Sequence, residues 1–239
     1  MESEVKNVVL LTSLEYYEHH YGTGIRANGK TDFKIKVLSS TDHDMSYELY
    51  GEKDGSITVY GNGAGSAVRS GWGRGSARRL GDGSGNAVRV GSGDGGARRF
   101  GSGDGDALRE GPGNGDAMRG GPGDGHAIRR CGGRGDAKRF GSGRGDAKRS
   151  STGHGDAKRS GSGSGDAKRS GVLGDGCATR SGSGNGNAVR CGGGNGHAIR
   201  DGTGVGTAER WGSGDGRTFC YNKRDKQEGR DSHEIRTDV

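Results

Sequence analysis

The chain has 239 residues, of which 56 are glycine and only 26% are hydrophobic, and its formal net charge is +7 at pH 7. This composition excludes an ordinary globular domain, because too few apolar side chains are present to build a core for a chain of this length. The positive charge permits anionic partners without requiring one.

Residues 1–60 are predicted to form a β-structured capping or attachment segment, because apolar side chains recur there at every second position. These side chains are Phe33, Ile35, Val37, Tyr47, Leu49, Ile57 and Val59. In the frame of the ten-residue repeat that follows, all of them fall on odd positions, so we expect odd positions to face inward. Repeat arrays need such a cap, since a terminal coil otherwise exposes an unpaired edge.

Residues 61–221 form a tandem array of a ten-residue, glycine-rich repeat, G-x-G-x-G-x-A-x-R-x. Eleven units run from Gly61 to Ser170, Gly171 breaks the register by one residue, and five more units end at Tyr221. Across the 16 units, positions three and five are always glycine, position seven is alanine in 15, and position nine is arginine in 15. Small residues at every second place predict β-strands, whereas collagen and an α-helix need periods of about 3 and about 3.6.

This period predicts an all-β fold, a thin β-solenoid in which each repeat forms one coil of two short strands and two turns. Ten residues give a path of ~33 Å, and coils stacked at ~4.8 Å would make an array roughly 75 Å long. We expect glycine to line the inward strand face and to let the two sheets approach closely. Strict phase along the array disfavours the alternative, an unfolded glycine-rich linker. Both prolines, Pro112 and Pro122, occupy position two, which is therefore predicted to lie in a turn.

The position-nine arginines fall on the face that is expected to point inward, where an unpaired charge is costly. Two interpretations stay open. Either a turn carries these arginines outward and they form a binding ladder, or their guanidinium groups bond turn carbonyls and are structural. We favour the structural role, because arginine persists in repeats whose variable residues all differ.

Neither end of the chain shows a membrane or export signal. Residues 222–239 are polar and are predicted to form a flexible tail or a polar end cap. The N-terminal apolar run from Val8 to Leu11 is too short for a signal peptide, and no stretch approaches the ~18 apolar residues of a membrane span. We therefore expect a cytoplasmic protein, with a virion component or leaderless export as alternatives.

A basic patch is the first candidate binding site, because residues 131–170 contain four consecutive D-A-K-R units. Its members are Arg134, Lys138, Arg139, Arg144, Lys148, Arg149, Lys158, Arg159, Lys168 and Arg169. Such a cluster is expected to hold an acidic protein surface or, without sequence specificity, a phosphate backbone. The alternative is a solvated face in which the aspartates of the same units act as counter-charges.

An apolar stripe at positions eight and ten is the second candidate site. Its members are Phe100, Leu108, Met118, Ile128 and Phe140. If these side chains face outward, they mark partner binding or self-association. Ordinary packing between neighbouring coils is an equally good interpretation.

No catalytic, cofactor or metal site is predicted. Asp104 and Asp106 are spaced as in the calcium-binding β-roll repeats of secreted toxins, but those repeats have a period of about nine with one large apolar residue per unit. The cysteines form no C-x-x-C pair and are expected to be free thiols. They are Cys131, Cys177, Cys191 and Cys220. No Ser-His-Asp or paired-carboxylate set stands out, so we expect a protein that is not an enzyme.

The fixed glycine, alanine and arginine places of residues 61–221 resemble those of glycine-rich tandem decapeptide-repeat proteins encoded by bacteria and their phages. The resemblance implies a β-solenoid architecture and a bacterial or phage accessory protein. It implies no particular activity, because that group has no assigned function in common.

The sequence as a whole predicts a non-enzymatic repeat scaffold that presents a solenoid surface to a protein partner. Two alternatives stay open: nucleic-acid or other polyanion binding through the basic patch, and a self-assembling fibre or filament subunit. Neither a cofactor nor a membrane partner is expected.

Overall fold

The structure, a computed structural model, is an all-β solenoid built from two sheets. It describes residues 8–11, 15–20, 23–29, 33–40, 45–50, 54–61, 65–130, 132–150 and 152–222, and for residues 8–40 it describes the backbone alone. Every described strand belongs to one of two 11-stranded sheets, here called sheet A and sheet B. The predicted fold class is therefore confirmed.

Each repeat of the array contributes one short strand, formed by its A-x-R-x half. The strands are β7 (Ala67–Ser70), β8 (Ala77–Leu80), β9 (Ala87–Val90), β10 (Ala97–Phe100), β11 (Ala107–Glu110), β12 (Ala117–Gly120), β13 (Ala127–Arg130), β14 (Ala137–Phe140), β15 (Ala147–Ser150), β16 (Ala157–Ser160), β17 (Ala167–Ser170), β18 (Ala178–Ser181), β19 (Ala188–Cys191), β20 (Ala198–Gly202), β21 (Ala208–Trp211) and β22 (Thr218–Asn222). Odd-numbered strands of the array lie in sheet A and even-numbered strands in sheet B.

One coil of the solenoid therefore takes two repeats, and the prediction of one coil per repeat is wrong. Ala87 of β9 pairs with Ala107 of β11, in parallel and 20 residues away. Four strand residues and six turn residues use up a whole repeat, so ten residues reach only from one sheet to the other. Eight coils at ~4.8 Å make the array about 38 Å long, which is half the expected length.

Six strands precede the array and pair with one another in antiparallel fashion. They are β1 (Val8–Leu11), β2 (Glu15–His20), β3 (Thr23–Gly29), β4 (Phe33–Ser40), β5 (Met45–Tyr50) and β6 (Gly55–Gly61). β5 and β6 then pair in parallel with β7 and β8, so the N-terminal strands lie at one end of both sheets. Ile57 and Val59 are fully buried, as their odd positions predicted.

The G-x-G-x-G half of each repeat forms the turns, which corrects the expectation that glycine lines the inward strand face. Consecutive turns on one edge stack so closely that a Cβ atom on Gly125 would overlap the carbonyl oxygen of Gly105. Gly125 also has a φ of 147°, which other residues rarely adopt. Pro112 and Pro122 lie exposed in bends of these turns, as predicted.

The inward strand positions are alanine and arginine, and both are fully buried along most of the array. Arg89 shows how the charge is accommodated. Its Nε donates to the carbonyl of Gly75 at 3.1 Å and its Nη1 to that of Gly71 at 3.2 Å. Its Nη2 donates to the carbonyls of Gly73 at 2.9 Å and Gly93 at 3.2 Å. The glycine turns thus wrap the guanidinium in carbonyl oxygens, and the position-nine arginines are structural.

This stack of buried cations carries an electrostatic cost. Burial lowers the pKa of Arg89 to about 10, and repulsion from Arg69 and Arg109, one coil below and one above, adds to the shift. Burial likewise lowers the pKa of Arg139 to about 10. Both guanidinium groups stay protonated at neutral pH, so carbonyl dipoles inside and acidic residues at the turns must balance the charge.

The break in register lies in a turn, two residues further along than the sequence places it. Gly171 keeps the role of position one, because its carbonyl lies under Gly192 as that of Gly161 lies under Gly182. Gly174 takes position three, so the extra residue belongs to the pair Val172 and Leu173, whose side chains are mostly exposed. The strands on either side keep the inward alternation, and their pairing distance becomes 21 residues.

Residues 223–239, most of the predicted tail, lie outside the described residues, as does Cys131. Nowhere in the described part of the chain is there a helix with the length and apolarity that a membrane crossing requires.

Replacing Gly125 with alanine should destabilise the protein by about 3 kcal/mol or more, because the new methyl group overlaps backbone and φ becomes strained. Gly132→Ala is the matched control, since its Cβ would meet only the Thr152 Oγ1 atom at 3.6 Å. Denaturant unfolding of both variants measures the difference. Equal stability of the two variants would contradict the close stacking of the turns.

Replacing Arg139 with methionine should cost several kcal/mol, because each buried carbonyl left without a partner costs about 1–3 kcal/mol. The carbonyls concerned belong to Gly123, Gly125 and Phe140, at 3.0, 3.3 and 2.7 Å from the guanidinium nitrogens. Arg134→Met, in an exposed turn, should change the free energy of unfolding by less than about 0.5 kcal/mol. Similar losses in both variants would show that the buried arginines are not structural.

Candidate binding face

The outward side chains of the solenoid form straight columns. Because positions seven and nine point inward, positions eight and ten point away from the core on each sheet. In-register parallel pairing places each outward residue directly above the one 20 residues earlier, as in the pairs Val88 with Leu108 and Arg98 with Met118. Each sheet therefore presents its own set of columns, and a binding site must lie within one set.

Position six, which varies freely in the sequence, obeys a rule that the sequence analysis missed. Its side chain accepts a hydrogen bond from the backbone N–H of position six in the next coil. The Asp116 Oδ1 accepts from Asp136 at 2.9 Å, the Asp136 Oδ1 from Asp156 at 2.9 Å, and the His126 Nδ1 from Asp146 at 2.9 Å. Of the 16 residues at this position, all but Gly96 and Arg217 carry an acceptor, which is the signal that could have revealed the rule.

The predicted basic patch is not one surface. Four of its members, Arg139, Arg149, Arg159 and Arg169, are fully buried and belong to the arginine core. Lys138 and Lys158 pair on sheet B, whereas Lys148 and Lys168 pair on sheet A. Arg134 and Arg144 lie in turns on opposite edges. The physical reason is that repeats adjacent in sequence belong to opposite sheets.

The lysines that remain outside are also neutralised locally. In each D-A-K-R unit the lysine Nζ lies beside the aspartate two residues earlier, on the same face of the strand. The Nζ to Oδ2 distances are 2.8 Å for Lys138–Asp136, 2.9 Å for Lys148–Asp146, 2.8 Å for Lys158–Asp156 and 2.9 Å for Lys168–Asp166. This arrangement corresponds to the solvated, counter-charged face that the sequence analysis kept as an alternative.

These pairs shift the pKa values of the aspartates. Burial alone would raise the pKa of Asp136, but hydrogen bonds from Lys138 and from the backbone N–H of Asp156 outweigh it, and the pKa is lowered. Asp146 behaves in the same way, with its hydrogen bonds from the backbone N–H of Asp166 and from Lys148. Both carboxylates are therefore held in the charged form.

The predicted apolar stripe is likewise divided between the sheets. Leu108 and Ile128 lie next to each other on sheet A, and Val68 and Val88 continue their column. All four are only partly exposed, since they pack on one another. Phe100, Met118 and Phe140 lie on sheet B, in β10, β12 and β14. The two faces thus differ in character: sheet A has an aliphatic column, and sheet B has aromatic rings.

The outer face of sheet B also carries cations that the sequence analysis did not single out. Arg78 and Arg98 stack at position eight of β8 and β10. Position six beside them holds Ser76 and Gly96, so the aspartate that neutralises each lysine is missing there. Within the described residues neither arginine has an acidic partner, and the Arg98 Nε is buried without a hydrogen bond. A period of 20 in the sequence would have joined these arginines to Phe100.

The rings on this face lie beside the cations. Phe100 and Phe140 occupy position ten, two coils apart, with Gly120 between them. A Cβ on Gly120 would lie 2.6 Å from Cδ1 and 2.8 Å from Cε1 of Phe100, so the Phe100 ring rests on the backbone of Gly120. We name this set the cationic aromatic face: Arg78, Arg98, Phe100, Gly120, Phe140.

Comparison of the chain with protein-family models, curated proteins and solved structures finds no match. Chemical clues within the described residues are also few. Cys177, Cys191 and Cys220 are free thiols. No cluster of three or more His, Cys, Asp or Glu side chains is suited to hold a metal ion in the part of the chain that is described.

The ion pairs predict how stability responds to acid. Because the folded-state pKa values of Asp136 and Asp146 lie below the ordinary value, their stabilising contribution is complete above about pH 4 and is lost as pH falls through the lowered values. The double variant Asp136→Asn with Asp146→Asn keeps the acceptor oxygens but cannot titrate. Between pH 4 and pH 2, thermal unfolding should therefore show a smaller loss of Tm in the variant than in the wild type. Parallel losses would contradict the role of these pairs.

Proposed function

We propose that the chain is a non-catalytic scaffold that binds an extended, acidic macromolecule along the outer face of sheet B. The observation that carries this proposal is the separation of roles within the repeat. Glycine, alanine and arginine build the turns and the core, and position six links the coils. Positions eight and ten are left to vary, and their columns are held straight by the sheet.

Charge and chemistry favour sheet B over sheet A. On sheet A the position-eight column is aliphatic from Val68 to Ile128, and the lysines that follow are paired with aspartates. On sheet B, Arg78 and Arg98 have no acidic partner among the described residues and stand beside exposed rings. The buried arginines beneath add positive potential to the face.

This assignment gives more weight to the polyanion alternative than the sequence did. The sequence favoured a protein partner at residues 131–170, but the structure disperses that patch over two faces, two edges and the core. An acidic protein segment remains within the proposed class of partner. The filament alternative stays a prediction from the sequence, as does the expected bacterial or phage origin.

Charge reversal of matched lysine pairs tests the proposal. Lys138→Glu with Lys158→Glu changes sheet B, and Lys148→Glu with Lys168→Glu makes the same chemical change on sheet A. We expect the sheet B variant to lose capture of the partner from an extract of the source organism and the sheet A variant to keep it. Mass spectrometry and nuclease treatment of the captured material identify its class.

Thermal unfolding must show that both variants stay folded, which we expect because all four side chains lie outside the core. Equal capture by the two variants, or equal loss, would show that sheet B is not the binding face.

A further inference from the structure

The cationic aromatic face has a specific arrangement of charges and rings. The arginine column and the phenylalanine column lie two residues apart along the strands, or about 7 Å, on one flat surface. Phe100 and Phe140 are separated by two coils, or about 10 Å. They keep 36% and 39% of their surfaces exposed although each is flanked by neighbouring strands. Rings and unpaired cations are thus offered side by side.

The orientation of Phe100 adds a second observation. Because Gly120 has no side chain, the Phe100 ring lies down on the neighbouring strand. A ring that lies on a sheet presents a face, rather than an edge, to whatever approaches from solvent. Bases stack on such faces, whereas an acidic peptide gains little from them.

We propose that the cationic aromatic face binds single-stranded nucleic acid, with bases stacked on Phe100 and Phe140 and phosphates held by Arg78 and Arg98. This inference rests on the proposed function and names the partner class. Duplexes fit less well, because their bases are not free to stack on a protein ring. The spacing of coils carries no base code, so we expect binding without sequence specificity.

The position of the acidic residues orients the strand on the face. Asp116, Asp136 and Asp156 occupy position six beside Met118, Lys138 and Lys158, whereas Ser76 and Gly96 are uncharged. Phosphates are therefore repelled from the later coils and attracted to the first two. Arg78 and Arg98 form the phosphate-binding end, and Phe140 marks the far limit of the site.

The experiment measures fluorescence anisotropy of labelled oligo-dT and oligo-U of about 12 nucleotides with the full-length protein. At least two phosphate contacts predict a slope of log K against log salt of about −1.4 or steeper, which is about a sevenfold loss between 50 and 200 mM salt. The oligo-dT and oligo-U arms separate DNA from RNA through the 2′-hydroxyl. Duplex DNA and heparin serve as competitors.

Two matched pairs of variants test the residues. Arg78→Ser with Arg98→Ser should remove most of the salt-dependent affinity, whereas Arg134→Ser with Arg144→Ser, the same change of charge at the two edges, should keep it. Phe100→Leu should weaken binding by between about 5-fold and about 150-fold, the range measured for single stacked bases. Trp211→Leu on sheet A should have no effect. Gly120→Val, which must displace the Phe100 ring, should weaken binding as Phe100→Leu does.

Several outcomes would overturn the inference. They are absence of binding to either oligonucleotide at 50 mM salt, unchanged affinity in the arginine double variant, and unchanged affinity in both Phe100→Leu and Gly120→Val. Displacement by heparin with no effect of Phe100→Leu would mean a general polyanion site. If the oligonucleotides fail while the sheet B lysine variant still loses its partner, the proposed function stands and only this inference falls.

Discussion

A buried guanidinium group needs oxygen atoms around all of its donors, and this need organises the whole array. In Arg89 the donors are met by carbonyls of the turns that precede and follow its strand. Turns that aim several carbonyls at one point must be tightly wound and closely stacked, and only glycine fits there. Alanine fills the other inward place, because the arginine already occupies the width of the core. The three invariant residue types of the repeat are thus parts of one interaction.

The charge of the core then shapes the surface. A stack of arginines without buried carboxylates leaves an excess of positive potential, and acidic residues at positions four and six lie where they offset it. The same aspartates accept backbone N–H groups from the next coil. One side chain therefore serves both to join coils and to balance charge. Where position six is serine or glycine, as at Ser76 and Gly96, the positive potential is left uncompensated on the outer face.

The sequence predicted the elements that depend on local chemistry. Alternation of apolar residues identified the buried side of Ile57 and Val59, and the missing N–H of proline placed position two in a turn. The number of repeats per coil could not be derived, because a period of ten fits one strand per repeat as well as two. The four D-A-K-R units concealed the answer, since identical units look the same on either face. Only position eight, aliphatic at Val88 and Leu108 but basic at Arg78 and Arg98, carries the period of 20.

Alternation between sheets has a consequence for how such arrays change by duplication or loss. Gain or loss of one repeat would transfer every later outward column to the opposite face, although each repeat would still fold with the same core. Gain or loss of two repeats would leave all columns on their faces. The single residue inserted at Val172 and Leu173 has neither effect, because the turn absorbs it and the next strand keeps its sheet. The heritable unit of this surface is therefore a pair of repeats, even though the unit of folding chemistry is one.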